Sequence, residues 1–404
     1  MSRCRSAMIV LAALLLPVTA NAQSSTPFPD FHEDAVPSGW TGPVFTLSQD
    51  YPTTKPAAGT LPWKSIDFKT KPAEYLNAVL QYCYEGNIEV DWAGQNNTVR
   101  KWYHAPWLHA DKTKGREFIH GMTRERTTPA RRLHPNQTDG FGAYAVGLYN
   151  PLGGYTIGRV WKDHNNPDAS KAIFPEGSVA CKLLFTRATV AQVPYLTGAF
   201  EWQANAGASF SSIPRSPQTV RLLQIDVAVK DNRAASTSGW VFGTFNYNGN
   251  APGARPWDKM IPVGLMWGND PTLTPAQYRA NKRPTQSLII GPNVMTNKAT
   301  DWKGVGWLER LNGPIDNPAS ACLSCHMTAE WPRPNSTAMF VSTLPFSEVT
   351  STDPLDPTTV SHKMRWFRNI KRQPFDTGNL SLDYSLQLYE GIKAFCDSEG
   401  CDSR

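Results

Sequence analysis

The stretch TVRLLQIDVAVKD, residues 219–231, has the alternation of a β-strand. Four apolar residues at every second position are separated by residues of mixed character: Leu223, Ile225, Val227 and Val229 alternate with Gln224, Asp226, Ala228 and Lys230. Successive side chains of a strand point to opposite faces. The pattern therefore predicts a half-buried strand with one face on a core and the other in water.

Several neighbouring stretches also read as strands: SVACKLLFT (178–186), GWVFGTFNYNG (239–249) and SLIIG (287–291). The chain of 404 residues has 33 Pro, 29 Gly, 14 Trp and 13 Tyr, a composition typical of loop-rich and β-rich proteins. Residues 23–72 read as an extended lead-in, and 92–172 as a long loop-like region.

Helical spacing is found near both ends of this β-rich part. PAEYLNAVLQYCYEG (72–86) has Pro72 at a helix start, and LTPAQYRANKR (273–283) has Thr274 as a cap before Pro275. LSLDYSLQLYEGIKAF (380–395) repeats its apolar residues at helical spacing, starting from Leu382. The prediction is an α+β protein with a β-rich domain over 23–315 and a smaller, mostly helical segment over 316–404.

The first 22 residues have the pattern of a secretory signal peptide. Arg3 and Arg5 precede an apolar run from Ala7 to Leu16, and the Ala20-Asn21-Ala22 end predicts cleavage after Ala22. The apolar run is too short to span a bilayer, and no later stretch is long and apolar enough. The mature protein is expected in the periplasm, without a membrane span. The leader removes Arg3 and Arg5 from the 40 basic residues, so the mature chain has 38 basic and 34 acidic residues. This small positive surplus does not indicate nucleic acid as a partner.

Of the seven cysteines, Cys4 is removed with the signal peptide, and a later pair, Cys322 and Cys325, belongs to a motif described below. The other four are Cys83, Cys181, Cys396 and Cys401. In an oxidising compartment they allow two disulfides, and the short Cys396–Cys401 loop would leave Cys83 to pair with Cys181. The alternative is that one pair stays reduced and buried.

The later pair belongs to ACLSCHMTAEWP, residues 321–332. Cys322, Cys325 and His326 have the C-x-x-C-H spacing of covalent haem attachment, in which two thiols bind the haem and the histidine binds the iron. A zinc site normally needs four ligands, and the next histidine is His362. A thiol–disulfide site belongs near the start of a thioredoxin-like unit. Export places the motif in the compartment where c-type haem is attached, and this favours covalent haem over zinc or a thiol–disulfide site. One motif predicts one haem per chain.

With these three residues the C-terminal quarter resembles a c-type cytochrome with one attachment site. The resemblance implies a redox-active iron and a proximal His326 that donates its other ring nitrogen to a backbone carbonyl. The Pro332–Pro334 stretch is the predicted source of that carbonyl. A β-rich body before a late C-x-x-C-H also resembles, in architecture only, the β-sheet cytochromes c′, which bind small gases or oxidise small nitrogen compounds.

The sixth iron position separates the functions that this motif allows. A methionine sulfur would suit electron transfer, and the candidates are Met339 and Met364. Met327 follows the proximal histidine too closely to reach the other haem face. A histidine ligand and an open iron are the alternatives.

A second group of polar residues lies in 102–135, where seven basic residues run from Lys112 to Arg132 among four histidines: His104, His109, His120 and His134. One interpretation is a surface that attracts an anion, the haem propionates or an acidic partner. Another places His104 or His120 over the iron. The third is a solvated loop whose arginines pair with its own acidic residues.

The leading hypothesis is a periplasmic monohaem c-type cytochrome that passes single electrons to or from another protein. The first alternative is a haem enzyme or gas-binding protein with an open iron, acting on a small molecule such as peroxide, hydroxylamine or nitric oxide. A binding module with haem as a structural element is the second. No hydrolase or nucleotide-binding motif is present.

Overall fold

A computed structural model describes residues 28, 36–42, 44, 48–108, 122–207, 213–289, 305–332 and 364–401. Its main element is an antiparallel sheet of eight strands: β1 (Met122–Thr128), β2 (Phe141–Tyr149), β3 (Val179–Thr186), β4 (Glu201–Ala206), β5 (Ser216–Lys230), β6 (Trp240–Tyr247), β7 (Met260–Met266) and β8 (Ser287–Ile289). The order is β1-β2-β3-β5-β6-β7-β8, with β4 paired to β5 beside that path. The chain is α+β with a β-rich body, as the sequence predicts.

Five α-helices are found within the described ranges: α1 (Pro72–Tyr84), α2 (Pro151–Val160), α3 (Pro275–Arg279), α4 (Cys322–His326) and α5 (Leu386–Glu399). The predictions for α1 and α3 are confirmed, including the Thr274 cap, whose hydroxyl accepts the Gln277 amide. The C-terminal helix is confirmed from Leu386 onward. Leu382 precedes it and follows β10 (Leu380–Ser381), which pairs with β9 (Glu330–Trp331).

The central sheet has an apolar cluster on each face, contrary to the expectation that one face of β5 meets water. On one face, α1 packs with residues such as Val227 and Val229. On the other, C-terminal residues such as Leu323 and Leu388 pack with Phe242 of β6. Gln224 and Lys230 are consequently buried, because the C-terminal segment covers their side of β5.

The loop-like assignment of residues 92–172 is wrong in part, since this region contains β1, β2 and α2. Strand β2 is buried on both faces, so its sequence FGAYAVGLY does not alternate between apolar and polar residues. A strand covered on both sides gives no two-residue period for sequence analysis to find.

Two disulfides, Cys83–Cys181 and Cys396–Cys401, confirm the two-bridge scheme. The first joins α1 to β3, and the second closes the C-terminal end of α5. Cys322 and Cys325 take part in neither disulfide.

Candidate haem-attachment site

Helix α4 consists of the five residues of the C-x-x-C-H motif. Residues three and four apart lie on one side of a helix, so the two cysteines and the histidine share a face. Within residues 321–330, only Cys322, Cys325 and His326 are partly exposed, and the other seven are buried. The three motif side chains are thus the accessible side of α4, and the space in front of them is called the recess below.

The recess lies against the sheet face that the C-terminal segment covers. The His326 ring lies 4.8 Å from the Phe242 ring, between centroids, and Thr244 of the same strand contacts the Cys322 thiol. Three small residues near strand ends are partly exposed on this face: Gly147 of β2, Ala180 of β3 and Ala228 of β5. The Gln387 side chain lies over Gly147, and Ala180 and Ala228 pack against the apolar cluster on this face.

The residues present fit a covalently held haem. Two thiols and one imidazole are the partly exposed side chains of one short helix, which is the donor set that covalent attachment needs. In such an arrangement Cys322 and Cys325 would form the thioethers and His326 would bind the iron.

A hydrogen bond to a backbone carbonyl fixes the orientation of the His326 ring. Its Nδ1 lies 2.9 Å from the Tyr384 carbonyl oxygen. A carbonyl only accepts, so Nδ1 carries the proton and Nε2 keeps its lone pair. Burial lowers the pKa of His326 to about 4, although the Tyr384 hydrogen bond opposes this. The imidazole is therefore neutral near pH 7, as a metal ligand must be.

The carbonyl partner differs from the predicted one. The sequence interpretation assigned it to the Pro332–Pro334 stretch, whereas it comes from Tyr384, just before α5. The Leu382 amide donates to the Ala329 carbonyl over 2.9 Å, so the 382–384 segment runs alongside the end of the motif. The predicted carbonyl was chosen because it is close to the motif in sequence, whereas the actual one comes from a segment that is distant in sequence and packs on the motif.

The two motif thiols are protonated. Burial raises the pKa of Cys322, and the carboxylates of Asp226 and Asp316 raise it further. Burial likewise raises the pKa of Cys325. Thiol–disulfide active sites lower the thiol pKa instead, so the alternative of a C-x-x-C redox site receives no support from this environment.

A row of polar side chains crosses the sheet next to Cys322. Lys182, Asp226 and Thr244 are register partners on β3, β5 and β6. The Thr244 hydroxyl donates to Asp226 over 2.8 Å, and the Gln224 amide donates to both Asp226 and Asp316. Burial raises the pKa of Asp226, and the nearby Asp316 charge adds to the effect. Of these residues, the sequence alternation predicts only Gln224 and Asp226 on the water-facing side of β5, and it gives no sign that Lys182 and Thr244 join them.

Part of the basic region reaches the same neighbourhood. Glu125 of β1 pairs with Lys182 over 2.8 Å, and the Arg132 guanidinium donates to the Pro314 carbonyl, close to Asp316. His104 is buried with its Nε2 3.4 Å from the Gln49 amide, and the His134 Nδ1 accepts the Asn136 amide. His109 and His120 lie outside the described residues.

Of the two candidates for the sixth iron ligand, one lies within the described residues. Met364 is partly exposed and packs against the apolar cluster that includes α4, while Met339 lies outside the described residues. Met327 is buried, with the Asn269 amide 3.5 Å from its sulfur.

Comparison of the chain with protein-family models, with curated proteins and with solved structures finds no match. In the described part of the chain, no group of three or more His, Cys, Asp or Glu side chains could hold a metal ion. None of the helices in those same ranges has the length and apolarity to cross a bilayer.

Proposed function

We propose that this protein is an exported monohaem c-type cytochrome that transfers single electrons in the periplasm. The observation that carries the proposal is the joint opening of Cys322, Cys325 and His326 on one recess, within a stretch that is otherwise buried. Residue types, spacing and exposure all agree with covalent attachment of one haem.

The haem would supply a one-electron iron couple. The chain's own residues would hold it. The His326 ring is kept neutral by burial and is oriented by the Tyr384 carbonyl. Phe242 and the apolar cluster around α4 pack beside the His326 ring. Met339 and Met364 remain the candidate methionine ligands.

One observation favours the second candidate, a haem enzyme or gas-binding protein with an open iron. Lys182 and Asp226 keep part of their surface exposed in the middle of the sheet, and the Asp226 carboxylate lies near the Cys322 thiol. Charged groups at such a position could bind a small polar molecule or exchange protons with it. Electron transfer alone does not require them.

The experiment is an absorption spectrum of the reduced full chain, produced in a host that attaches haem c, with and without carbon monoxide. We expect no change on adding the gas, because a six-coordinate iron has no vacant position. A clear shift would contradict the electron-transfer proposal and favour the second candidate. The variant His326→Ala should lose the native spectrum, whereas the control His164→Ala, with its ring stacked on Phe28, should keep it.

A further inference from the structure

The turn that presents the Tyr384 carbonyl has an unfavourable backbone. Asp383 and Tyr384 have φ angles of 47° and 69°, in the left-handed region that residues with a side chain rarely adopt. Two such residues in a row persist only when neighbouring contacts hold them. The Ser385 amide closes the turn on the Leu382 carbonyl over 2.9 Å, and the contacts of Asp383 hold its side-chain face.

The Asp383 carboxylate is buried and receives donors from three directions. The Lys230 ammonium lies 2.6 and 2.7 Å from its two oxygens. The Trp240 indole nitrogen donates over 3.1 Å and the Phe174 amide over 2.9 Å. Lys230 is the last residue of β5, so the ion pair ties the turn to a central strand.

Stabilising the fold is a poor explanation for an ion pair at this place. The side chains of Lys230 and Asp383 are 1% and 4% exposed. Burial lowers the pKa of Lys230 to about 8, although Asp383 opposes this. A buried ion pair is often no more stabilising than apolar residues of the same size. What this pair does provide is a defined position for the residue that follows Asp383.

We infer that Lys230 and Asp383 are positioning residues for His326, acting through the Tyr384 carbonyl. They hold the left-handed turn so that this carbonyl accepts a hydrogen bond from the Nδ1–H group and Nε2 faces the recess. The inference rests on the proposed function, which makes His326 the iron ligand. Partners behind a ligating histidine typically change metal affinity or activity by 10- to 100-fold when they are removed.

The test compares Asp383→Asn and Lys230→Met with the wild-type protein, all carrying haem. Histidines are labelled with ¹⁵N, and the His326 Nδ1 proton is identified by its absence in His326→Gln. We expect exchange of this proton with water to be at least tenfold faster in both variants, because a loosened turn releases the hydrogen bond. Arg221→Met, which removes the ion pair with Glu201 elsewhere on β5, is the control and should leave exchange unchanged.

The reduction potential gives a second readout. A weaker hydrogen bond makes the imidazole a poorer electron donor, so the potential should rise in both variants. If the pair acted only through its charges, Lys230→Met would lower the potential and Asp383→Asn would raise it, with proton exchange unchanged. That result would overturn the inference. If a single variant does not fold, the neutral double variant Lys230→Met, Asp383→Asn takes its place, because it leaves no unpaired buried charge.

The failure of this inference differs from the failure of the proposed function. A wild-type chain that carries no covalent haem would refute the function. The proton exchange can still be compared on the haem-free chain, where unchanged exchange in the variants would refute the positioning role by itself.

Discussion

The Nδ1 atom of His326 lies 2.9 Å from the carbonyl oxygen of Tyr384, a residue 58 positions further along the chain. The bond selects the tautomer with its proton on Nδ1, and it leaves Nε2 to the recess. The direction of the Nε2 lone pair of His326 therefore depends on two segments that are remote in sequence.

Removing the His326 ring should leave a gap that a free imidazole can fill. We expect His326→Ala to lose the absorption bands of the native protein and to regain them largely when imidazole is added. The absorption spectrum of the reduced protein measures both effects. Bands that persist in His326→Ala without imidazole would show that another residue is the ligand.

The two disulfides should differ in their contribution to stability. Cys83–Cys181 spans 98 positions and Cys396–Cys401 spans five. From the loop-closure entropy, the first should add about 4–5 kcal/mol to the free energy of unfolding and the second about 2 kcal/mol. Urea unfolding of the two double Cys→Ala variants checks the order. Equal losses would contradict it.

Gly391 allows α5 to approach the 105–106 segment closely. A Cβ there would lie 2.5 Å from the Pro106 carbonyl oxygen, which is backbone and cannot rotate away. Gly391→Ala gains about 1 kcal/mol of helix propensity, whereas overpacking costs about 1–3 kcal/mol. We expect a net loss of stability, measured as a lower urea midpoint. A midpoint above that of the wild type would mean that the helix moves freely.

Asp231 should contribute stability that depends on pH. Burial acts to raise the pKa of its carboxyl, but hydrogen bonds from Arg233 outweigh burial and lower the pKa below 3.8. The ionised group also accepts the Tyr75 hydroxyl of α1 over 3.1 Å. A lowered pKa stabilises the folded state above the ordinary value, and this contribution is lost as the pH falls through the folded-state pKa.

The variant Asp231→Asn should therefore be less stable than the wild type by about 1–3 kcal/mol at neutral pH. The difference should shrink below about pH 4. Urea unfolding across this pH range measures it, with Asp50→Asn as the control because its ion pair with Lys101 is exposed. A difference that grows towards acid pH would reverse the assigned direction of the pKa shift.

Sequence analysis found the features that depend on local spacing. The Pro72 helix start, the Thr274 cap and the disulfide between Cys396 and Cys401 each follow from residues close together in the chain. The spacing of Cys322, Cys325 and His326 identified the three residues that the structure places on one short helix, and their use for haem stays a prediction.

Features that depend on packing were missed for physical reasons. Gln224 and Lys230 are polar residues in an alternating strand, and only the covering C-terminal segment buries them. The partner of His326 is a backbone carbonyl, which every residue has, so no residue type could identify Tyr384. Strand β2 has no alternation because both of its faces are covered.

The most direct test of the account is whether haem stays on the chain after denaturation. The full chain is produced in a host that attaches haem c, unfolded in detergent, separated by size and examined for haem. We predict haem on the wild-type chain and none on the double variant Cys322→Ser, Cys325→Ser. Wild-type protein that releases its haem on unfolding, or never carries any, would contradict the account.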